Sequence, residues 1–342
     1  MGMCRSVFLQ FLLAIGLAVG LLTISGCNSR QQISRTLRSN IQTPAGSPVL
    51  LAAYQPWFGR KGHIDVGYST QDTDTLNKQI AQAKDLNILG FVVNWYGPSR
   101  DFEDRSYALL QRIASQNDFK TALMYDESSD DPDRATEQAI SDLQYAYDRY
   151  IGPHASIPNS AYLTLNDRPV VFIFPKSGDT HWQKVRQAVS SWERAPLLIY
   201  LFTEPEREIY ESFDGLYAWV SPGHKGWTHD GSNWGRDYLD SFYRVMTRKY
   251  PNKLAVGAAW PGFDDSKAEW GEGRRMNARC GKTLQDSLHL YRHYYAENNP
   301  LPFLMIETWN DYEEGTAIER GFGADCSGDK TSETIRAAGN LK

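Results

Sequence analysis

Apolar residues along this chain come in short runs, and most runs are followed by a stretch with helical period. Residues 49–55 precede a helical pattern at 73–86, then 90–95 precede 102–115, 121–125 precede 134–150, and 169–174 precede 181–192. The series continues with 197–202 before a short 205–210 segment, 215–220 before 236–249, 254–260 before 284–295, and a last run at 303–308. Asp131-Pro132 reads as the N-cap and first residue of the third helix. Strands alternating with helices predict a parallel sheet, and eight is a number that closes a barrel. The expectation is therefore an α/β chain folded as a single (β/α)8 TIM barrel over residues 48–342, close to the usual length for that fold. An open, doubly wound sheet is the alternative. No internal repeat accompanies the pattern.

A parallel barrel aims all its strand ends at one face, where its chemistry sits. Those ends read Tyr54-Gln55-Pro56-Trp57, Asn94-Trp95-Tyr96, Tyr125-Asp126-Glu127, Phe174-Pro175-Lys176, Phe202-Thr203-Glu204, Trp219-Val220-Ser221, Trp260-Pro261-Gly262 and Trp309-Asn310-Asp311. Aromatic or acidic residues stand at nearly all of them. From these ends Tyr54, Trp57, Asn94, Trp95, Tyr125, Trp219, Trp260 and Asn310 are the candidate substrate-binding residues. The whole chain carries 10 Trp, 19 Tyr and 14 Phe, an excess that suits pyranose rings, whose flat C–H faces pack on aromatic rings.

The densest chemistry lies at Met305-Ile306-Glu307-Thr308-Trp309-Asn310-Asp311-Tyr312-Glu313-Glu314-Gly315-Thr316, where a buried strand opens into carboxylates, aromatics and an amide. Asp311 and Glu314 would share one face of a helical turn. Two carboxyl groups beside one bond are the usual equipment for cleaving a glycosidic link.

The first 27 residues read as a secretory leader: Arg5, an apolar run over 7–24, then small residues. Ile24-Ser25-Gly26-Cys27 resembles a bacterial lipobox, which implies lipidation of Cys27. Asn28 stands where an aspartate would retain the protein in the inner membrane, so an outer-membrane lipoprotein is expected. Residues 28–47 read as a flexible tether. In the body only Cys280 and Cys326 remain, both in glycine-flanked loop sequence. An oxidising compartment would let them pair, with two separate thiols as the alternative. The formal net charge of −5 without a basic block points away from nucleic acid.

With these residues in view, the chain resembles the superfamily of glycoside hydrolase families 99 and 71. Family 99 contains endo-acting α-mannosidases and α-mannanases, and family 71 contains α-1,3-glucanases. Asn310-Asp311-Tyr312-Glu313-Glu314-Gly315-Thr316, with Ile318-Glu319 following, is similar to the family 99 pattern Asn-Glu-Trp-His-Glu-Gly-Thr and its Ile-Glu. Thr308-Trp309-Asn310-Asp311-Tyr312 is similar to the family 71 pattern. Tyr54-Gln55-Pro56-Trp57 and Gly90 to Tyr96 resemble the first two strands of family 99. The resemblance implies cleavage of an α-linked polysaccharide, α-mannan first and α-1,3-glucan second, with Glu314 as acid and Asp311 as base. The first acid is Asp, as in family 71, and Glu313 replaces the family 99 histidine. A surface glycan-binding lipoprotein without catalysis is the alternative.

Other clusters carry less. Residues 126–133 are acidic but lack the ligand alternation and glycine of a calcium loop. His289 and His293 share a helix without the glutamate of a zinc motif. His63, His224 and His229 are candidates for hydroxyl recognition in loops. No metal or cofactor is expected, and the chain is expected to be monomeric.

Overall fold

The computed structural model describes residues 48–127, 131–176, 178–221, 227–228, 232–295, 303–320 and 335–336. The expected leader, Cys27 and the tether at 28–47 lie outside the described residues, as do Cys326, His224 and His229.

Eleven strands occur among the described residues: β1 (Val49–Tyr54), β2 (Ile88–Trp95), β3 (Lys120–Asp126), β4 (Thr164–Leu165), β5 (Arg168–Phe174), β6 (Leu197–Leu201), β7 (Gly215–Tyr217), β8 (Leu254–Ala259), β9 (Phe263–Asp264), β10 (Arg275–Met276) and β11 (Phe303–Ile306). Eight of them pair in parallel in the order β3-β2-β1-β11-β8-β7-β6-β5, and the pairing of β3 with β5 closes the ring. Leu51 registers with Met305 at one seam and Leu123 with Val171 at the other. Closure excludes the open doubly wound sheet, and the expected (β/α)8 barrel is the fold.

The helices between the strands are α1 (Thr73–Asp85), α2 (Asp101–Gln116), α3 (Ala135–Ala146), α4 (Trp182–Ser190), α5 (Arg236–Arg248) and α6 (Lys282–Tyr294). In α1, Leu76, Gln79, Ile80 and Ala83 are buried, the spacing that turns one helical stripe onto the sheet. The Asp72 side chain caps that helix by accepting from Asp74 N.

Three expectations need correction. The third helix begins at Ala135, because Asp131 instead organises a preceding turn, accepting Asp133 N on its side chain and Arg134 N on its carbonyl. The segment after β6 is a 3-10 turn at Glu208–Ser212. β7 stops at Tyr217, short of the expected 220, because Val220 N turns away from the sheet and donates to the Glu307 carboxylate.

Candidate active site

A cavity of about 630 Å³ lies at the carboxyl ends of the barrel strands, and residues following all eight strands line it. Its acids are Asp126 and Glu127 at the end of β3, Asp311 and Glu314 in the turn after β11, and Glu103 on α2.

The turn after β11 builds the Asp311–Glu314 pair. Trp309 N donates to Ala53 O at 2.7 Å, which continues the β1 seam past the strand. Asp311 N donates to Thr308 Oγ1 at 2.8 Å. The Asp311 carboxylate then folds back over its own backbone, Oδ1 accepting Glu313 N at 3.1 Å and Glu314 N at 2.9 Å. Its other oxygen, Oδ2, accepts Gln55 Nε2 at 3.1 Å. Thr316 N and Ala317 N return to Asp311 O and close the loop. Beneath it Glu319 accepts both Tyr68 and Tyr312 hydroxyls on Oε2 and Gln79 Nε2 on Oε1, which anchors the turn to α1.

Burial pushes the Asp311 carboxyl well above its ordinary range, and the neighbouring Glu314 adds to the rise against the opposing N–H bonds. Glu314 is also raised, first by burial, with Asp265 and Asp126 adding to it. The bond from Trp270 Nε1 (2.9 Å) and the charge of Arg274 oppose that rise. Two interacting carboxyls that both hold protons above the usual range are suited to share acid and base roles.

Opposite them, Lys176 Nζ stands 2.6 Å from Asp126 Oδ1 and over the Tyr96 ring. Burial raises the Asp126 pKa and Lys176 resists that rise. Glu127 accepts Lys176 N at 2.8 Å and the Thr180 hydroxyl, and so shapes the β5 loop. Arg60 pairs with the buried Glu103 on the β1 side. His63 lines the cavity too, with Nδ1 2.9 Å from Glu313 Oε2 and its ring stacked on Trp57.

Of the residues singled out from sequence, Asp311, Glu314, Trp57, Asn94 and Trp219 line the cavity. Asn310 stands behind it, tied to Gln55 by both side-chain atoms. Asn310, Tyr54, Trp95, Tyr125 and Trp260 do not line it, and this corrects their assignment as substrate-binding residues. Tyr54 donates to Gln79, Trp95 to Asp104 and Tyr125 to Asp142, all on the helices outside the barrel, and Trp260 donates to Trp234 O in the segment before α5. Successive strand residues face opposite sides, so the cavity receives Gln55, Asn94 and Asp126 while their aromatic neighbours turn outward. Strand alternation would have found Gln55 and Asp126. Trp270 and Arg274, which also line the cavity, follow β8 by ten residues or more and carry no periodic signal.

His289 and His293 lie on exposed positions of α6. Cys280 is in a disulfide, and its expected partner lies outside the described residues.

The fold is thus an eight-stranded barrel with two carboxyls in the turn after its last strand. Among solved structures, two of the GH99 endo-alpha-mannosidase from Bacteroides thetaiotaomicron match at 20% and 19% identity, with TM-scores of 0.64 and 0.63. Each match covers 85% of this chain and 95% of that one. A glycoside hydrolase-like protein matches at 15% identity and a TM-score of 0.58, covering 87% of this chain and 95% of its own. No protein-family model and no curated protein matches the sequence. The chain is similar in fold to the GH99 enzymes, as the strand-end motifs suggested.

Proposed function

We propose that this protein is a glycoside hydrolase that cuts internal α-glycosidic bonds of a polysaccharide, α-mannan first and α-1,3-glucan second. The observation that carries the reading is the Asp311–Glu314 pair on the cavity, both carboxyls raised by burial and each held by a separate side-chain donor, Gln55 and Trp270. Glu314 gives its proton to the departing oxygen as the glycosidic C–O bond breaks. Asp311 takes a proton from the attacking hydroxyl. In the family 99 pattern that hydroxyl is the sugar's own 2-hydroxyl, and water then opens the resulting ring with overall retention. In the family 71 pattern it is water, with inversion. Proton NMR of the first-formed anomer separates the two.

The non-catalytic alternative would have no reason to hold two carboxyls in this arrangement. We further propose export as an outer-membrane lipoprotein lipidated at Cys27, a 28–47 tether, a Cys280–Cys326 bridge, and a monomer. Palmitate labelling that persists in Cys27→Ser would reject the anchor.

The test incubates residues 48–342 with a panel of α-mannans and α-glucans. Oligosaccharide release is expected from at least one, and release from none rejects the reading. Asp311→Asn and Glu314→Gln should each lower turnover by about 10²–10⁴-fold while glycan is still bound.

A further inference from the structure

Between β8 and α6 the chain makes a small excursion, the antiparallel pair β9 and β10 with Trp270 in its turn. Asp265, fully buried, organises it by accepting Glu272 N at 3.1 Å, Arg274 N at 2.7 Å and Arg274 Nε at 2.6 Å. These bonds and the Arg274 guanidinium hold the Asp265 carboxyl below its ordinary range despite burial, so the brace is ionised at neutral pH. The Arg274 guanidinium also lies over the Phe263 ring.

This hairpin grips Glu314 twice. Asp264 N donates to Glu314 O at 2.8 Å, and Trp270 Nε1 donates to Glu314 Oε1 at 2.9 Å. The fit is close: Gly315 has φ +65°, and a Cβ there would stand 3.0 Å from Asp264 N. Yet Trp270 is the one large apolar side chain left exposed among the described residues, at 45%. Its ring meets Trp57 edge-on at 5.9 Å and His63 at 6.2 Å, while Trp57 and His63 stack on each other at 5.0 Å. An uncovered indole on a braced arm, at the lip of a cavity and bonded to an acid, is a binding surface waiting for an apolar face.

We propose that Trp270 is the platform for the sugar on the leaving-group side of the cut bond and the positioning residue for Glu314. The inference rests on the glycosidase reading, because Glu314 marks the leaving-group side only if it protonates the departing oxygen. Pinning Oε1 leaves Oε2 to face that oxygen. The indole ring beside it receives the C–H face of the sugar that departs.

Two variants separate the roles. Trp270→Phe keeps a ring and removes the N–H, whereas Trp270→Ala removes both. Affinity electrophoresis in gels containing α-mannan or α-glucan reads binding, and kcat/KM against pH reads the acid. Trp270→Ala should weaken binding by about 10-fold and Trp270→Phe by about 2-fold, in line with stacking worth 0.5–1.5 kcal/mol. In Trp270→Phe the alkaline limb of kcat/KM should move upward by about half a pH unit, because a donor to the ionised form of the acid is lost. Circular dichroism of both variants verifies folding. Binding and pH profiles equal to those of the parent overturn the proposal, as does a parent that is retarded by no polysaccharide. A parent that binds but releases no oligosaccharide, with retardation lost in Trp270→Ala, sinks the glycosidase reading and with it the leaving-group assignment, and leaves Trp270 as a glycan-stacking residue alone.

Discussion

Gln55 and Asn310 are bonded to each other twice across the β1–β11 seam. Gln55 N donates to Asn310 Oδ1 at 2.7 Å, and Asn310 Nδ2 donates to Gln55 O at 3.0 Å. The pair extends the sheet beyond its last ladder bond and fixes where the Gln55 amide can reach. That amide ends 3.1 Å from Asp311 Oδ2. Gln55→Met keeps the volume and removes the donor to the ionised Asp311. We expect kcat to fall by about 10- to 100-fold, with the acidic limb of the pH profile moved upward, since a bond of this kind is worth about 1.5–3 kcal/mol. A fall in kcat without movement of that limb would separate Gln55 from the charge state of Asp311.

The pair itself sets the shape of the pH profile. Asp311 and Glu314 are both raised and each feels the other, so their two protons leave in steps that belong to the pair. The proposed acid–base mechanism requires one proton between them. The expected kcat/KM profile is a bell whose acidic limb lies above about 4, where free carboxyls titrate. A limb at or below that value in a pH series would contradict the burial argument.

Glu307, fully buried at the end of β11, accepts Val220 N on Oε2, while its Oε1 has no hydrogen-bond partner among the described residues. Burial holds its pKa well above the ordinary value. In the unfolded chain the same group ionises above about 4.3, so the fold loses stability as pH rises beyond that point. Glu307→Gln keeps an acceptor for Val220 and removes the ionisation. Its Tm should exceed the parent's at pH 7, with the gain shrinking as pH falls to about 4. Calorimetry at the two pH values checks this, and a constant difference would rule out titration as the cause.

The barrel was readable because strands buried on both faces leave unbroken apolar runs, as in Val49–Tyr54, where every residue is buried. The Asp311–Glu314 pair on the cavity was readable because it follows closely on such a run. Strand ends were harder. At Tyr54-Gln55, Asn94-Trp95 and Tyr125-Asp126 the choice of face is set by register, and aromatic identity misled where alternation would have served. Trp270 was beyond reach from sequence. Its place depends on a two-residue strand pair and on the buried Asp265, neither of which has a period to detect.

The last prediction concerns Cys280, which is disulfide-bonded and sits in the chain between Arg274 on the cavity and the start of α6. Arg279, Cys280 and Gly281 take φ values of 49°, 50° and 89° in succession. Left-handed backbone at two non-glycine residues costs on the order of 1–3 kcal/mol each. Arg279 offsets part of it by donating to Thr283 Oγ1 and pairing with Asp286 on the first turns of α6. If the partner is Cys326, the bridge closes a loop of about 45 residues and contributes roughly 3–4 kcal/mol on the chain-entropy view. Reduction then removes that constraint from the segment that follows the Trp270 hairpin. The expected result is a lower Tm, with KM raised more than kcat is lowered, because a loosened hairpin still leaves Asp311 on its own turn. Mass spectrometry of the unreduced digest tests the pairing first: a peptide joining Cys280 to Cys326 is required. Reduction that leaves both Tm and KM in place would detach the bridge from the site.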